Sequence, residues 1–200
     1  MNLDKVPDHE MMGMPMDTCP ELQRTGRGQC AVIVAHPDDE TLWAGGTILM
    51  HSDWTWTILS LCRKSDPERS GRFYQALGRL RASGQMGDLD DGPDQIPLEE
   101  NLVRTTLLSL LPRSEFDLIL THSPQGEYIR HRRHEEVAAA VIRLIEDRDL
   151  KTGQLWLFPY AYETDGDLSR PIPAADRKVR LPQGIWSRKN DIMTTLYGFP

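Results

Sequence analysis

Cys30-Ala-Val-Ile-Val-Ala35-His36-Pro37-Asp38-Asp39-Glu40 is the stretch on which the fold turns. Its first six residues form an unbroken apolar run of strand length, rich in β-branched side chains. A run that never alternates is what a strand covered on both faces needs, so Ala31 to Ala35 is expected as a central strand. One imidazole and three carboxylates follow within five positions. Beside a buried strand, such a concentration of charge is costly unless a cation or a catalytic task uses it. A helix N-cap would account for the acids, which favour the positive end of a helix, but not for the histidine. His36 and Asp39 can point the same way at a turn while Asp38 projects elsewhere, which leaves one aspartate for a metal and the other free as a base.

Outward from this stretch the chain alternates. Glu40 to His51 reads as a helix with Leu42, Gly45, Gly46, Leu49 and Met50 on its packed face, although paired glycines weaken its propensity. Trp56 to Leu61 fits a second strand, and a helix carrying Phe73, Leu77 and Leu80 follows the polar stretch Arg63 to Gly71. Asp88 to Pro97 is loop by composition, Leu98 to Leu111 a helix stopped by Pro112, and Phe116 to Thr121 a third buried strand. Glu135 to Ile145 has a helical period, Leu155 to Phe158 gives a fourth short strand, and a last helix is expected near Ser187 to Leu196. Strands alternating with helices imply right-handed crossovers and a parallel sheet.

The 200 residues, 39% hydrophobic and 26% charged, suit one domain: an extension over residues 1–28 and a single domain over 29–200. A formal charge of -7 opposes phosphate backbones, so nucleic acid is not an expected partner. No stretch approaches the ~18 consecutive apolar residues of a membrane span. Three widely spaced cysteines and an N-terminus without a basic, then apolar, start point to a cytoplasmic, disulfide-free protein. Cys30 and Cys62 read as buried hydrophobes rather than nucleophiles. Self-association into a homo-oligomer is left open.

In open parallel sheets ligands bind outside the carboxyl ends of the strands. A second polar cluster follows the expected third strand: Thr121-His122, then Gly126-Glu127-Tyr128-Ile-Arg130-His131-Arg132-Arg133-His134-Glu135-Glu136. His131 and His134, spaced i, i+3 at a helix start, share a face. Both clusters close strands of one sheet and should meet at the same edge. Arg130, Arg132 and Arg133 break the dipole rule at a helix N-terminus; an anion-facing role and a solvated basic turn balanced by Glu135 and Glu136 both fit. Two imidazoles and one carboxylate suit a catalytic divalent metal with open positions. The same set describes non-haem iron oxygenases, but those are all-β, and the alternating pattern here favours hydrolytic metal chemistry.

Ala35-His36-Pro37-Asp38-Asp39-Glu40-Thr41-Leu42 with Gly45-Gly46-Thr47 resembles the opening motif of the PIG-L, or LmbE-like, family of zinc-dependent N-deacetylases. Thr121-His122, Gly126-Glu127-Tyr128 and His131-Arg-Arg-His134 resemble its second motif. The resemblance spans about Ala31 to Phe158. It implies a Rossmann-like three-layer α/β sandwich with a mostly parallel central sheet. His36, Asp39 and His134 would be zinc ligands, Asp38 the general base, and His131, as a cation, the group acting on the oxyanion and the leaving amine. The implied reaction removes an acetyl group from an N-acetylglucosamine-type amino sugar or its conjugate. The implied ion is Zn2+, with Fe2+ as the other divalent choice.

Two departures stand out. Ile129 and Arg130 both intervene before His131 where many members have one residue. The nearest match to the family's Arg-x-x-Glu is Arg72-Phe-Tyr-Gln75, or a shifted pairing from Arg69. Arg72, Tyr128 and Arg130 are the candidate substrate-binding residues. The departures also motivate an alternative, a catalytically altered metal- or sugar-binding domain. Trp43 fits core packing or a stacking face for a sugar ring.

Overall fold

The computed structural model describes residues 28–124, 131–158, 160–161, 170–171 and 175–200. Tyr128, Arg130 and residues 1–27 of the expected extension lie outside the described residues. Strand β1 (Gln29–Val34) is followed by a π-helical turn (Glu40–Ala44) running into α1 (Gly45–Met50). Then come β2 (Thr55–Cys62), α2 (Pro67–Leu80), β3 (Ser83–Leu89), α3 (Glu100–Leu110), β4 (Glu115–Thr121), α4 (Arg132–Glu146) and β5 (Lys151–Leu157). A two-stranded antiparallel ribbon, β6 (Tyr160–Ala161) with β7 (Arg170–Pro171), precedes α5 (Gln183–Asp191) and a closing π-helical turn (Ile192–Tyr197).

Strands β1 to β5 form one sheet in the order β3-β2-β1-β4-β5, and every pairing in it is parallel. The apolar run of β1 has to be two-faced because it sits at the centre. Cys30, Val32 and Val34 pack with α1, α2 and the C-terminal helix, whereas Ala31, Ile33 and Ala35 pack with α3 and α4. Three layers result, with a Rossmann-like order that reverses between β1 and β4. Among the described residues no helix is long and apolar enough to cross a membrane.

The sheet is wholly parallel, and it holds one strand more than the sequence pattern implied. Ser83-Gly-Gln-Met-Gly-Asp-Leu89 has two glycines and little alternation, so its strand signal is weak. Gly84 is required there: a Cβ would lie 2.2 Å from the Ile58 carbonyl oxygen on the neighbouring strand. Gly84→Ala should therefore destabilise the fold by about 1–3 kcal/mol, because the clashing atom is backbone and cannot swing aside. Denaturant midpoints for the two proteins check this; equal midpoints would contradict it. With β3 counted, the expected third strand becomes β4.

Cys30 and Cys62 are buried free thiols, and burial pushes each up to about 12, which keeps them inert. Trp43 is partly buried, stacks on Phe158 at 6.2 Å between ring centroids and packs against the first of the two cores.

Candidate active site

The order reversal between β1 and β4 opens a crevice at the carboxyl edge of the sheet, and the side chains that follow the strands line up there. His36 follows β1, Arg63 follows β2, Asp91 follows β3 and His122 follows β4. His134 enters from the first turn of α4, and His131 sits one residue before that helix in extended backbone. Thr121 fastens the two central strands at this edge, its hydroxyl donating to the Ile33 carbonyl at 2.8 Å.

The acids of the first motif do not cap a helix; neither Asp38 nor Asp39 makes a side-chain cap bond. Asp39 instead turns inward. Its Oδ2 accepts the His36 backbone N–H at 2.9 Å and lies 3.2 Å from His36 Nδ1, 3.3 Å from His134 Nε2 and 3.5 Å from His122 Nε2. His36 Nδ1 and His134 Nε2 are 3.0 Å apart. Three donor atoms thus form a triangle with sides of 3.0, 3.2 and 3.3 Å. Atoms held about 2.0–2.1 Å from a tetrahedral ion are about 3.3 Å apart, so this triangle fits zinc without rearrangement. All three residues are less than 10% exposed.

His122 is fully buried beneath the triangle, and its ring stacks on that of His134 at 3.9 Å. Its Nε2 accepts the Ala35 backbone N–H at 3.0 Å, so that lone pair is already engaged. Burial alone would raise Asp39; the facing imidazole of His134 is the foremost influence holding it well below the usual carboxylate range. His36, disfavoured as a cation by burial, is nonetheless raised by Asp39 and Asp91.

Asp38 stands outside this triangle and faces the cleft, in a backbone conformation (φ 129°) that L residues rarely adopt. Strain of this kind persists where the surroundings over-determine it, commonly at active sites. Burial, followed by the neighbouring Asp39, pushes Asp38 up to about 7, against the Arg69 guanidinium 3.3 Å away. Glu40 braces the strained loop from beneath: fully buried, it accepts from the Asp38 backbone N–H, the Thr41 hydroxyl and the Tyr197 hydroxyl at 3.0, 2.6 and 2.8 Å. Tyr197 comes from the far end of the chain, and no local signal in the sequence announces it.

His131 stacks on His134 with ring centroids 4.7 Å apart and meets His36 edge-on at 4.6 Å. Burial first, then these two imidazoles, push it down to about 4. This environment disfavours the cationic form of the imidazole. Arg72 lies one turn too far along α2 to face the cleft; it pairs with Glu68 and donates to the Tyr197 carbonyl at 3.1 Å. Arg69 is the α2 arginine that lines the cleft. Arg133 is fully buried and takes up Glu136, the Asp90 carboxylate and two backbone carbonyls, so it is not free for an anion, while Arg132 is exposed. The cleft measures about 870 Å³, in the range of small-molecule sites, and its mixed wall includes Leu42 and Phe199 as well as the charged groups.

A buried imidazole and carboxylate cluster at the order reversal of a parallel sheet defines a Rossmann-like α/β enzyme with a candidate metal centre. The model of the PIG-L family, described as GlcNAc-PI de-N-acetylase, matches residues 31–145, and the chain belongs to that family. Among solved structures, the chain is similar to an N,N'-diacetylchitobiose deacetylase from Pyrococcus horikoshii (16% identity, TM-score 0.57, 86% of this chain and 72% of that one). It is also similar to a 4-carboxy-2-hydroxymuconate hydratase from Pseudomonas putida (18% identity, TM-score 0.53, 85% and 79%). No curated protein matches the sequence. Family membership supports an N-deacetylase of the LmbE type, while the hydratase shows that the fold by itself does not choose the reaction.

Proposed function

We propose that this chain is a zinc-dependent hydrolase that removes the acetyl group from a small N-acetylglucosamine-type amino sugar or its conjugate. The observation that carries the reading is the triangle of His36, Asp39 and His134 with Asp38 beside it but outside it. His36, Asp39 and His134 would hold the ion. Zinc bound there lowers the pKa of a coordinated water to about 7 and polarises an amide carbonyl.

Asp38, raised to about 7, is matched to take the proton of the attacking water near neutral pH and to return it to the leaving amine. His131, starting neutral, donates a hydrogen bond to the developing oxyanion; losing one such donor typically costs ~100- to 1,000-fold in rate. Arg69, from the cleft wall, holds Asp38 in place and reaches substrate hydroxyls. Tyr128 and Arg130 are the further residues proposed to contact the substrate. A cytoplasmic location belongs to the same reading.

Acetate release from a panel of N-acetylated amino sugars by the zinc-loaded protein tests the reading. Stoichiometric acetate and free amine are expected. Sugar binding with no acetate from any of them would instead favour the altered binding domain. The pH profile offers a second check. Burial raises Asp38 and Arg69 lowers it, so Arg69→Gln removes the opposing influence and should raise Asp38 further. The base is then protonated over a wider acid range, and the acid limb of kcat/KM should move to higher pH. A shift to lower pH would contradict the assignment.

A further inference from the structure

We infer that Asp91 is a positioning residue for the metal centre: its carboxylate fixes the ring of His36 so that Nδ1 faces His134 and Asp39. The inference rests on the proposed ligand role of His36. An imidazole that ligates through Nδ1 carries its proton on Nε2, and that N–H calls for an acceptor. Asp91 Oδ1 lies 3.2 Å from His36 Nε2, within ion-pair distance though not aligned as a hydrogen bond, on the side of the ring away from the triangle, and this buried nitrogen has no hydrogen-bond partner among the described residues. The sequence reading assigned no role to this aspartate.

Asp91 is itself built into the site rather than resting on the surface. Its side chain is 5% exposed. Arg63 donates to Oδ2 through Nε at 2.8 Å and Nη2 at 2.6 Å, and Nη2 also reaches the Asp91 carbonyl at 2.7 Å. The Gln95 side-chain amide donates to Oδ1 at 2.9 Å and to the Gly92 carbonyl at 3.0 Å. Gln95 adopts the left-handed backbone conformation (φ 47°), uncommon for a residue other than glycine, asparagine or aspartate.

The same loop is fastened to the other imidazole ligand. Arg133, next to His134 on α4, donates to the backbone carbonyls of Asp90 and Ile96, the latter at 2.7 Å. One network therefore runs from His36 through Asp91 and its loop to the helix that carries His134. A loop anchor alone would not require a carboxylate 3.2 Å from Nε2.

The test is zinc affinity of Asp91→Asn, measured by competition with a chromogenic chelator, with the visible spectrum of the cobalt-substituted protein. Asparagine keeps an oxygen for Arg63 but removes the charge. Zinc affinity should fall by about 10- to 100-fold and the cobalt bands should shift. Asp91→Glu restores the carboxylate and should recover part of the lost affinity, which a purely structural role would not favour; it also serves if the asparagine variant does not fold. Parent-like affinity and an unchanged cobalt spectrum in a folded Asp91→Asn protein would overturn the inference while leaving the metal centre intact. A parent protein that binds no zinc would remove both.

Discussion

Asp38→Asn is expected to keep the zinc content of the parent and to lose about 100- to 10,000-fold in kcat/KM for deacetylation, the usual worth of a positioned general base. The split follows from geometry. Asp38 contributes nothing to the donor triangle, whose three sides are closed by His36, Asp39 and His134. What it does contribute is a cleft-facing carboxylate at φ 129°, beside Arg69 and raised to about 7. The amide of asparagine matches its shape and cannot take a proton. Acetate release together with elemental analysis of the same sample reads both halves. Turnover within tenfold of the parent would place the base elsewhere.

Asp39→Ala should be the more drastic change, since it removes the ion and the activity together. Its Oδ2 lies within 3.5 Å of His36, His134 and His122 at once. Alanine takes away a donor atom and leaves three imidazoles facing each other without the anion that organises them. The loss in zinc affinity should exceed the ~10- to 100-fold typical of groups that only orient a ligand. Chelator competition on the parent and the variant measures it. Retention of stoichiometric zinc by Asp39→Ala, at parent-like affinity, would exclude Asp39 as a ligand.

Two adjacent aspartates are thus expected to fail in different ways, and the sequence carried the reason for both. A β-branched apolar run with no alternation fits a strand buried on both faces, and the run expected over Ala31 to Ala35 lies in β1, Gln29–Val34, and the residue after it. The second cluster could be placed at the same edge because Phe116 to Thr121 has the same character. Where the pattern weakened, so did the reading. The strand Ser83–Leu89 has a carbonyl-tight glycine and lies at the sheet edge, so its composition resembles a loop. Missing that strand hid the fact that Asp90 and Asp91 stand at a strand end, where the site was already expected. The choice between Arg69 and Arg72 depended on the phase of α2, which Asp66 sets by capping with its side chain on the Glu68 and Arg69 amides. Glu40 with Tyr197 joins residues too far apart in sequence for any local pattern to pair them.

The account stands most directly on where a metal ion binds. Anomalous diffraction at the zinc edge from crystals of the zinc-loaded protein should place one ion within about 2.0–2.2 Å of His36 Nδ1, Asp39 Oδ2 and His134 Nε2. An ion bound elsewhere, or none in this triangle at stoichiometric zinc, would contradict it.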